Sequence, residues 1–302
     1  MSIISVNGLR KSFNGLEIIK GIDFSLQEGN CIALLGPNGA GKTTTLRMLS
    51  GLMEPTTGTI TFRNGTKGED IRKYIGYLPQ YPVFYDWMTG FEFLMYVGEL
   101  GGLSKKKSKE KSLQLLELVG ISEAKNRKVG KYSGGMKQRL GIAQAIIHDP
   151  LLLMLDEPVS ALDPFGRREV LELLEKLKKQ MTILFSTHIL NDAEEVCDEL
   201  LFLHNGQLVE SGTLESLRNR HQKSKIDLEF KEKPEKYLNS ITESGLISSM
   251  NVEGNKASIT VVNLDEAKQT IFQHASTNNW PLTKFEISRL TLEDLFMEVV
   301  QK

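Results

Sequence analysis

Residues 36–44 read GPNGAGKTT. An apolar run, Cys31–Leu35 (CIALL), precedes them, and a stretch over residues 43–52 with helical character follows. Gly36, Gly41, Lys42 and Thr43 fit a spacing of glycine, four residues, then glycine, lysine and serine or threonine, which is a phosphate loop when strand, loop and helix occur in that order. The physical reasons are local. Gly36, Gly39 and Gly41 reach backbone angles closed to other residues. The loop amides then converge on one anion at the positive end of the next helix. Lys42 adds a point charge for β- and γ-phosphates, and the Thr43 hydroxyl is a magnesium ligand. The bland alternative is a glycine-rich strand-to-helix turn.

Working outward, the 302 residues suffice for one large core and a smaller one. Thirty-seven basic residues stand against 38 acidic ones, so no overall field favours nucleic acid. Cys31 and Cys197 lie far apart without metal spacing and suggest buried thiols in a reducing compartment. The first residues, MSIISVNGLRK, hold no apolar signal core, and no stretch approaches the about 18 apolar residues that span a bilayer. A cytoplasmic protein is expected, which needs a partner to act across a membrane.

Residues 2–10 and 17–26 read as antiparallel strands around a turn at Asn14-Gly15. Phe13, at that turn, either stacks on an adenine or joins the core. A second strand pair is expected at residues 59–62 and 75–78, with Gln80 just beyond. An amide there reaches magnesium or an attacking water, or is an ordinary loop glutamine. Residues 82–96 (PVFYDWMTGFEFLMY) are dense in aromatic and apolar groups, and read as a helical core segment, a partner's docking surface, or both. The basic run at residues 105–111 reads as a solvated helix start, with membrane-surface contact as the lesser alternative. In residues 132–139, YSGGMKQR, Ser133 is placed as a helix cap and Gly134 and Gly135 expose amides. That stretch is either a second anion-binding helix terminus or a plain glycine-assisted cap.

Residues 151–155 (LLLML) suit a strand buried on both faces of a parallel sheet. Asp156 and Glu157 then stand at its carboxyl end, where α/β sheets bind ligands. Asp156 is placed to hold magnesium through water and Glu157 to polarise the attacking water. Another buried strand, residues 181–185, leads to His188, a candidate hydrogen-bond donor to a γ-phosphate. Beyond a polar linker at residues 221–225, the order βαββαβ suggests a small ferredoxin-like α+β unit, followed by a final helix over residues 291–300.

Five sites thus stand in one order: GPNGAGKTT, Gln80, YSGGMKQR, LLLMLDEP with SALD, and His188. Together they resemble the ATP-binding subunit of an ABC transporter over about residues 2–220. The resemblance implies an α/β phosphate-loop NTPase core with an antiparallel β subdomain and a helical signature subdomain (about 85–148) within an ATPase domain over 1–220, and an accessory domain over 221–302. It implies ATP and Mg2+ as cofactors. Gly36, Asn38, Gly39, Gly41, Lys42, Thr43 and Thr44 would hold phosphate, with Thr43, Gln80 and Asp156 on the metal. Ser133, Gly134 and Gly135 form the signature, Glu157 is the catalytic carboxylate, Asp163 lies in the D-loop, His188 is the switch histidine and Phe13 the adenine-stacking ring. The implied partners are an integral membrane permease, absent from this chain, and a second copy or homologous ATPase, on the inner face of the membrane. Tyr132 replaces the usual leucine, Met136 the usual glutamine and Ala161 the more common glycine, while the phosphate ligands, acid and base stand. A terminal TLEDLFM (residues 291–297) is similar to ATPases of drug, antibiotic and sodium exporters. The rival readings are a soluble ATP-driven switch and a nucleotide-binding scaffold without turnover.

Overall fold

The computed structural model describes residues 1–63, 70–220, 224–242 and 245–289. The expected helix over 291–300, and with it the TLEDLFM stretch, lies outside the described residues. The chain divides into two compact units, Met1–Leu214 and Glu215–Lys302. The division falls six residues before the expected boundary.

In the first unit, β1 (Ser2–Phe13) and β2 (Leu16–Gln27) form a hairpin. Its turn is built on Asn14 and Gly15, both with positive φ, which matches the right-handed twist of the paired strands. β3 (Cys31–Leu35) is buried at every position and leads into the phosphate loop and α1 (Lys42–Leu49). β4 (Thr57–Phe62) pairs with β1, giving a three-stranded antiparallel sheet. β5 (Ile75–Leu78) does not pair with β4 but joins a different sheet, which corrects the expected strand pair. Local composition marks strands, whereas pairing is a long-range choice made by burial.

The helical region follows. Residues 81–89 are not helical, and α2 begins only at Gly90 (Gly90–Leu100). Pro82 opposes a helix in the aromatic stretch, and the start is set by a capping box: Glu92 N–H donates to Thr89 Oγ1 while Thr89 N–H donates to Glu92. α3 (Lys105–Leu118) starts at a Ser104 cap and takes in the basic run. α4 (Gly134–Ile146) follows.

β6 (Leu152–Asp156) is wholly buried. α5 (Pro164–Leu177), β7 (Thr182–Thr187), α6 (Leu190–Val196), β8 (Glu199–His204) and β9 (Gln207–Thr213) complete the unit. The large sheet has the order β5-β6-β7-β3-β8-β9. All its pairs are parallel except β8 with the edge strand β9. Each fully buried Leu, Ile or Phe side chain of β3, β6 and β7 contributes about 1.5–3 kcal/mol by leaving water. The parallel register brings the carboxyl ends of β3, β6 and β7 together.

α7 (Leu214–Arg220) opens on the last residue of the first unit, and the second unit goes on with β10 (Ser224–Phe230), α8 (Glu235–Thr242), β11 (Ile247–Glu253), β12 (Lys256–Val261), α9 (Leu264–Thr277) and β13 (Leu282–Arg289). From β10 onward the element order is βαββαβ. The strands form one antiparallel sheet in the order β11-β12-β10-β13. Ile226, Leu228, Phe230, Ile259, Val261, Ile271 and Trp280 form its own core. Alternate positions of β10, Lys225, Asp227 and Glu229, face away from it.

Candidate functional site

The loop after β3 needs glycine at two places for reasons of space. A Cβ on Gly36 would lie 2.2 Å from the Leu203 carbonyl oxygen, and one on Gly41, at φ +105°, would lie 2.4 Å from Ile19 Cδ1. The chain can therefore fold tightly between β8 and β2 and deliver Lys42 to the first position of α1. Lys42 is almost fully buried. Its ammonium donates to Gly36 O at 2.7 Å and to Pro37 O at 3.3 Å. It also stands 3.1 Å from Glu157 Oε1. A buried cation without such partners would cost several kcal/mol (order of magnitude).

A cavity of about 590 Å³ opens over this loop. It is lined by Phe13, Ile18, Asn38, Gly39, Gly41, Lys42, Thr43, Thr44, Gln80 and Glu157, among others. Phe13 is exposed rather than part of the core, with Lys11 Nζ 5.1 Å from its ring centre. Of the two readings of this ring, placement on the cavity wall favours the stacking one. Gln80, three strands away from β3 in the sheet, arrives through the carboxyl end of β5.

The acids are fixed from β6 and the next strand. Parallel pairing sets Asp156 opposite Ser186. Ser186 Oγ donates to Asp156 Oδ1 at 2.7 Å and accepts from the Glu157 N–H at 2.9 Å. Glu157 has φ +49°, a left-handed conformation rare for this residue type. Its carboxylate links two groups: Oε1 faces Lys42, and Oε2 is 2.9 Å from His188 Nδ1. Ser186 is the residue that sequence reasoning passed over. Its role depends on register across β6 and β7, and its only sequence signal is its place two residues before His188 at a strand end.

Asp156 is 1% exposed, and its Oδ2 has no hydrogen-bond partner among the described residues. An orphaned carboxylate oxygen beside a phosphate loop fits magnesium, which takes one or two carboxylates and completes its shell with water and substrate phosphate. Thr43 and Gln80 line the cavity over the loop, and Asp156 lies behind the lining residue Glu157 in sequence without lining the cavity itself. Among the described residues no cluster of three His, Cys, Asp or Glu exists that would hold a metal alone.

Ser133, Gly134 and Gly135 stand elsewhere. Ser133 caps α4, its Oγ accepting from Met136 N–H at 3.2 Å. Neither Ser133 nor Gly134 nor Gly135 lines the Phe13 cavity. Instead, Gly135 packs toward the start of α5: a Cβ there would lie 3.8 Å from Gly166 Cα. Asp163 caps α5, with Oδ1 accepting from Gly166 N–H at 2.7 Å. Tyr132 is buried, donates to Ala124 O at 2.8 Å, and fits because Gly90 has no side chain; a Cβ at Gly90 would be 2.2 Å from the Tyr132 oxygen. Burial pushes the Tyr132 phenol up from its ordinary pKa.

The aromatic stretch after Gln80 is largely exposed: Tyr81, Val83, Tyr85 and Trp87 all face solvent, while Phe93 and Leu94 of α2 are buried. The core reading holds for the part within α2, and the part before it is a solvent-exposed loop. No helix among the described residues is long and apolar enough to cross a membrane.

Comparison with known proteins agrees with this arrangement. A family model described as ABC transporter matches residues 19–160, and one described as the C-terminal domain of DrrA1-3-like ATP-binding proteins matches residues 212–300. An uncharacterized ABC transporter ATP-binding protein of Bacillus subtilis (strain 168), YxlF, is 46% identical over 99% of each chain. Nod factor export ATP-binding protein I of Rhizobium sp. (strain N33) is 39% identical, covering 72% of this chain and 73% of that protein. A solved ATP-binding subunit of an ABC transporter superposes with a TM-score of 0.65 at 34% identity, covering 73% of this chain and 93% of the other. The chain belongs to the family of ABC transporter ATP-binding proteins, and its α/β fold is that of their ATPase domain.

Proposed function

We propose that two copies of this chain, or this chain and a homologous ATPase, close around ATP and drive export through a separate membrane permease. The observation that carries the reading is the convergence of Lys42 and His188 on the two oxygens of Glu157, beyond the carboxyl ends of three parallel strands. In this reading the loop amides from Gly36 to Thr44 and the Lys42 ammonium bind the phosphates. Phe13 stacks on the adenine. Glu157 accepts the proton of the attacking water, and His188 both orients that carboxylate and donates toward the γ-phosphate. Gln80 orients the water or the metal. Thr43, Gln80 and Asp156 would hold magnesium, which when bound neutralises charge on the β- and γ-phosphates.

The second copy enters through the signature. Because Ser133, Gly134 and Gly135 do not line the cavity of their own chain, an opposing protomer would supply them to the γ-phosphate, with Asp163 at the seam. The exposed Tyr81, Val83, Tyr85 and Trp87 suit a permease helix, since aromatic side chains are enriched at interface centres. A permease contact would hold the chain on the inner face of the membrane. Residues 221–302 form an accessory domain in this scheme. Export is favoured by similarity to a relative whose name specifies it.

The test is Glu157→Gln. Nucleotide binding should persist and a nucleotide-bound dimer accumulate in size-exclusion chromatography. Turnover should fall by about a hundredfold or more, the usual weight of a positioned base. Hydrolysis near the wild-type rate would remove Glu157 from its assigned role.

A further inference from the structure

His188 does not stand on a well-anchored element of its own. It precedes α6, a helix of only seven residues whose cap position, Ile189, offers no side-chain bond. So short a helix is marginal in isolation, and its orientation must come from tertiary contacts. The buried Ala193 and Val196 pack it, and one further contact is a charged pair. Asp192, on the first turn of α6, is 1% exposed and accepts from Arg167 Nε at 2.6 Å, with Arg167 Nη2 directed at the same oxygen. Its other oxygen, Oδ2, has no hydrogen-bond partner among the described residues. Arg167 lies on the first turn of α5, four residues after the cap Asp163, as Asp192 lies four residues after His188. The far ends are tied as well, because Lys178 at the end of α5 donates to Val196 O at 3.1 Å. The two helices are thus clamped at both ends.

We propose that Arg167 is a positioning residue for ATP hydrolysis: through Asp192 it fixes α6, and so aims His188 at Glu157 while holding it in step with Asp163. The pair touches neither the phosphate loop nor the cavity over it, so its effect falls on turnover and not on nucleotide affinity. A purely structural pair would have no such selectivity. Burying a carboxylate against one arginine, with one oxygen left over, is also a poor way to add stability, since apolar replacements of buried ion pairs are often neutral or better. Retaining it is explained by geometry.

The inference rests on the ATPase reading of the site and is tested on the purified full-length chain. Asp192→Asn keeps the shape and removes the charge. Expected are an ATP dissociation constant within about twofold of wild type by calorimetry and a kcat lower by about tenfold to a hundredfold, the scale of a misplaced catalytic group. Arg167→Lys should retain more activity than Arg167→Ala. Arg168→Ala, which removes the neighbouring exposed arginine paired along its own helix with Glu172, should leave kcat unchanged. The imidazole nitrogen signal of His188, one of five histidines, should shift in Asp192→Asn. If that variant fails to fold, the paired Arg167→Met/Asp192→Leu variant should fold, bind ATP and show the same loss of kcat. A kcat within twofold of wild type in the folded variant, or a loss of kcat with an unmoved His188 signal, overturns the proposal. No hydrolysis by the wild-type chain would instead count against the underlying reading, while the His188 signal would still report on the pair.

Discussion

Replacing Ser186 with alanine removes one oxygen that serves two buried groups. The Glu157 N–H loses its acceptor, and Asp156 Oδ1 loses a donor on a side chain whose other oxygen has no partner among the described residues. An unsatisfied buried amide costs roughly 1–3 kcal/mol, and a charged acceptor at least as much. A combined loss of about 3 kcal/mol follows from the lower half of those ranges. For a unit of 214 residues, about 2–4 °C of Tm per kcal/mol converts this to a drop of about 6–12 °C. Differential scanning calorimetry reads the shift, and phosphate release reads the accompanying loss of turnover, because Glu157 is held at its left-handed angle from the same hydroxyl. Ser186→Thr, which keeps the oxygen, should lose less of both. A Tm within 2 °C of wild type together with unaltered turnover in Ser186→Ala would refute the claim that this hydroxyl organises the acids.

Gly90→Ala should destabilise the helical region by driving a methyl group into the Tyr132 hydroxyl, and Gly90→Ala/Tyr132→Leu should recover most of the loss in thermal unfolding; equal stability of both would show that the contact yields freely. The thiols offer a check on burial. Cys31 and Cys197 are both buried, with sulfurs 3.9 Å apart, and burial pushes the Cys197 thiol well above its ordinary pKa. A raised pKa keeps the group protonated at pH 8, so iodoacetamide should label Cys197 slowly in the native chain and rapidly in denaturant; rapid native labelling would contradict the packing.

The parts legible in the sequence were those whose cause is local. The phosphate loop follows from glycine spacing between a strand and a helix, and β6 from an unbroken apolar run ending in two acids. The order βαββαβ in the second unit could be read because alternation, turns and helical spacing each leave a local mark. What could not be read depends on distant residues meeting. β4 and β5 look alike as short apolar strands, yet one pairs with Ser2–Phe13 and the other with Leu152–Asp156. Ser186 acquires its role only through the β6–β7 register. The helix start at Thr89 was within reach, since the Thr89–Glu92 capping box is a sequence signature, but the density of aromatic residues before it drew the expected helix too far forward.

The left-handed backbone at Glu157 sets two selective pressures against each other. Glycine meets no steric penalty at that angle, whereas a residue bearing Cβ gives up about 1–2 kcal/mol there. Glu157→Gly would also strip the buried Lys42 ammonium of its carboxylate, a loss of about 3–5 kcal/mol that outweighs the backbone relief, so even a library screened for heat tolerance alone should keep an acid at this position. The fold tolerates strain in its backbone there so that a carboxylate can sit between an ammonium and an imidazole.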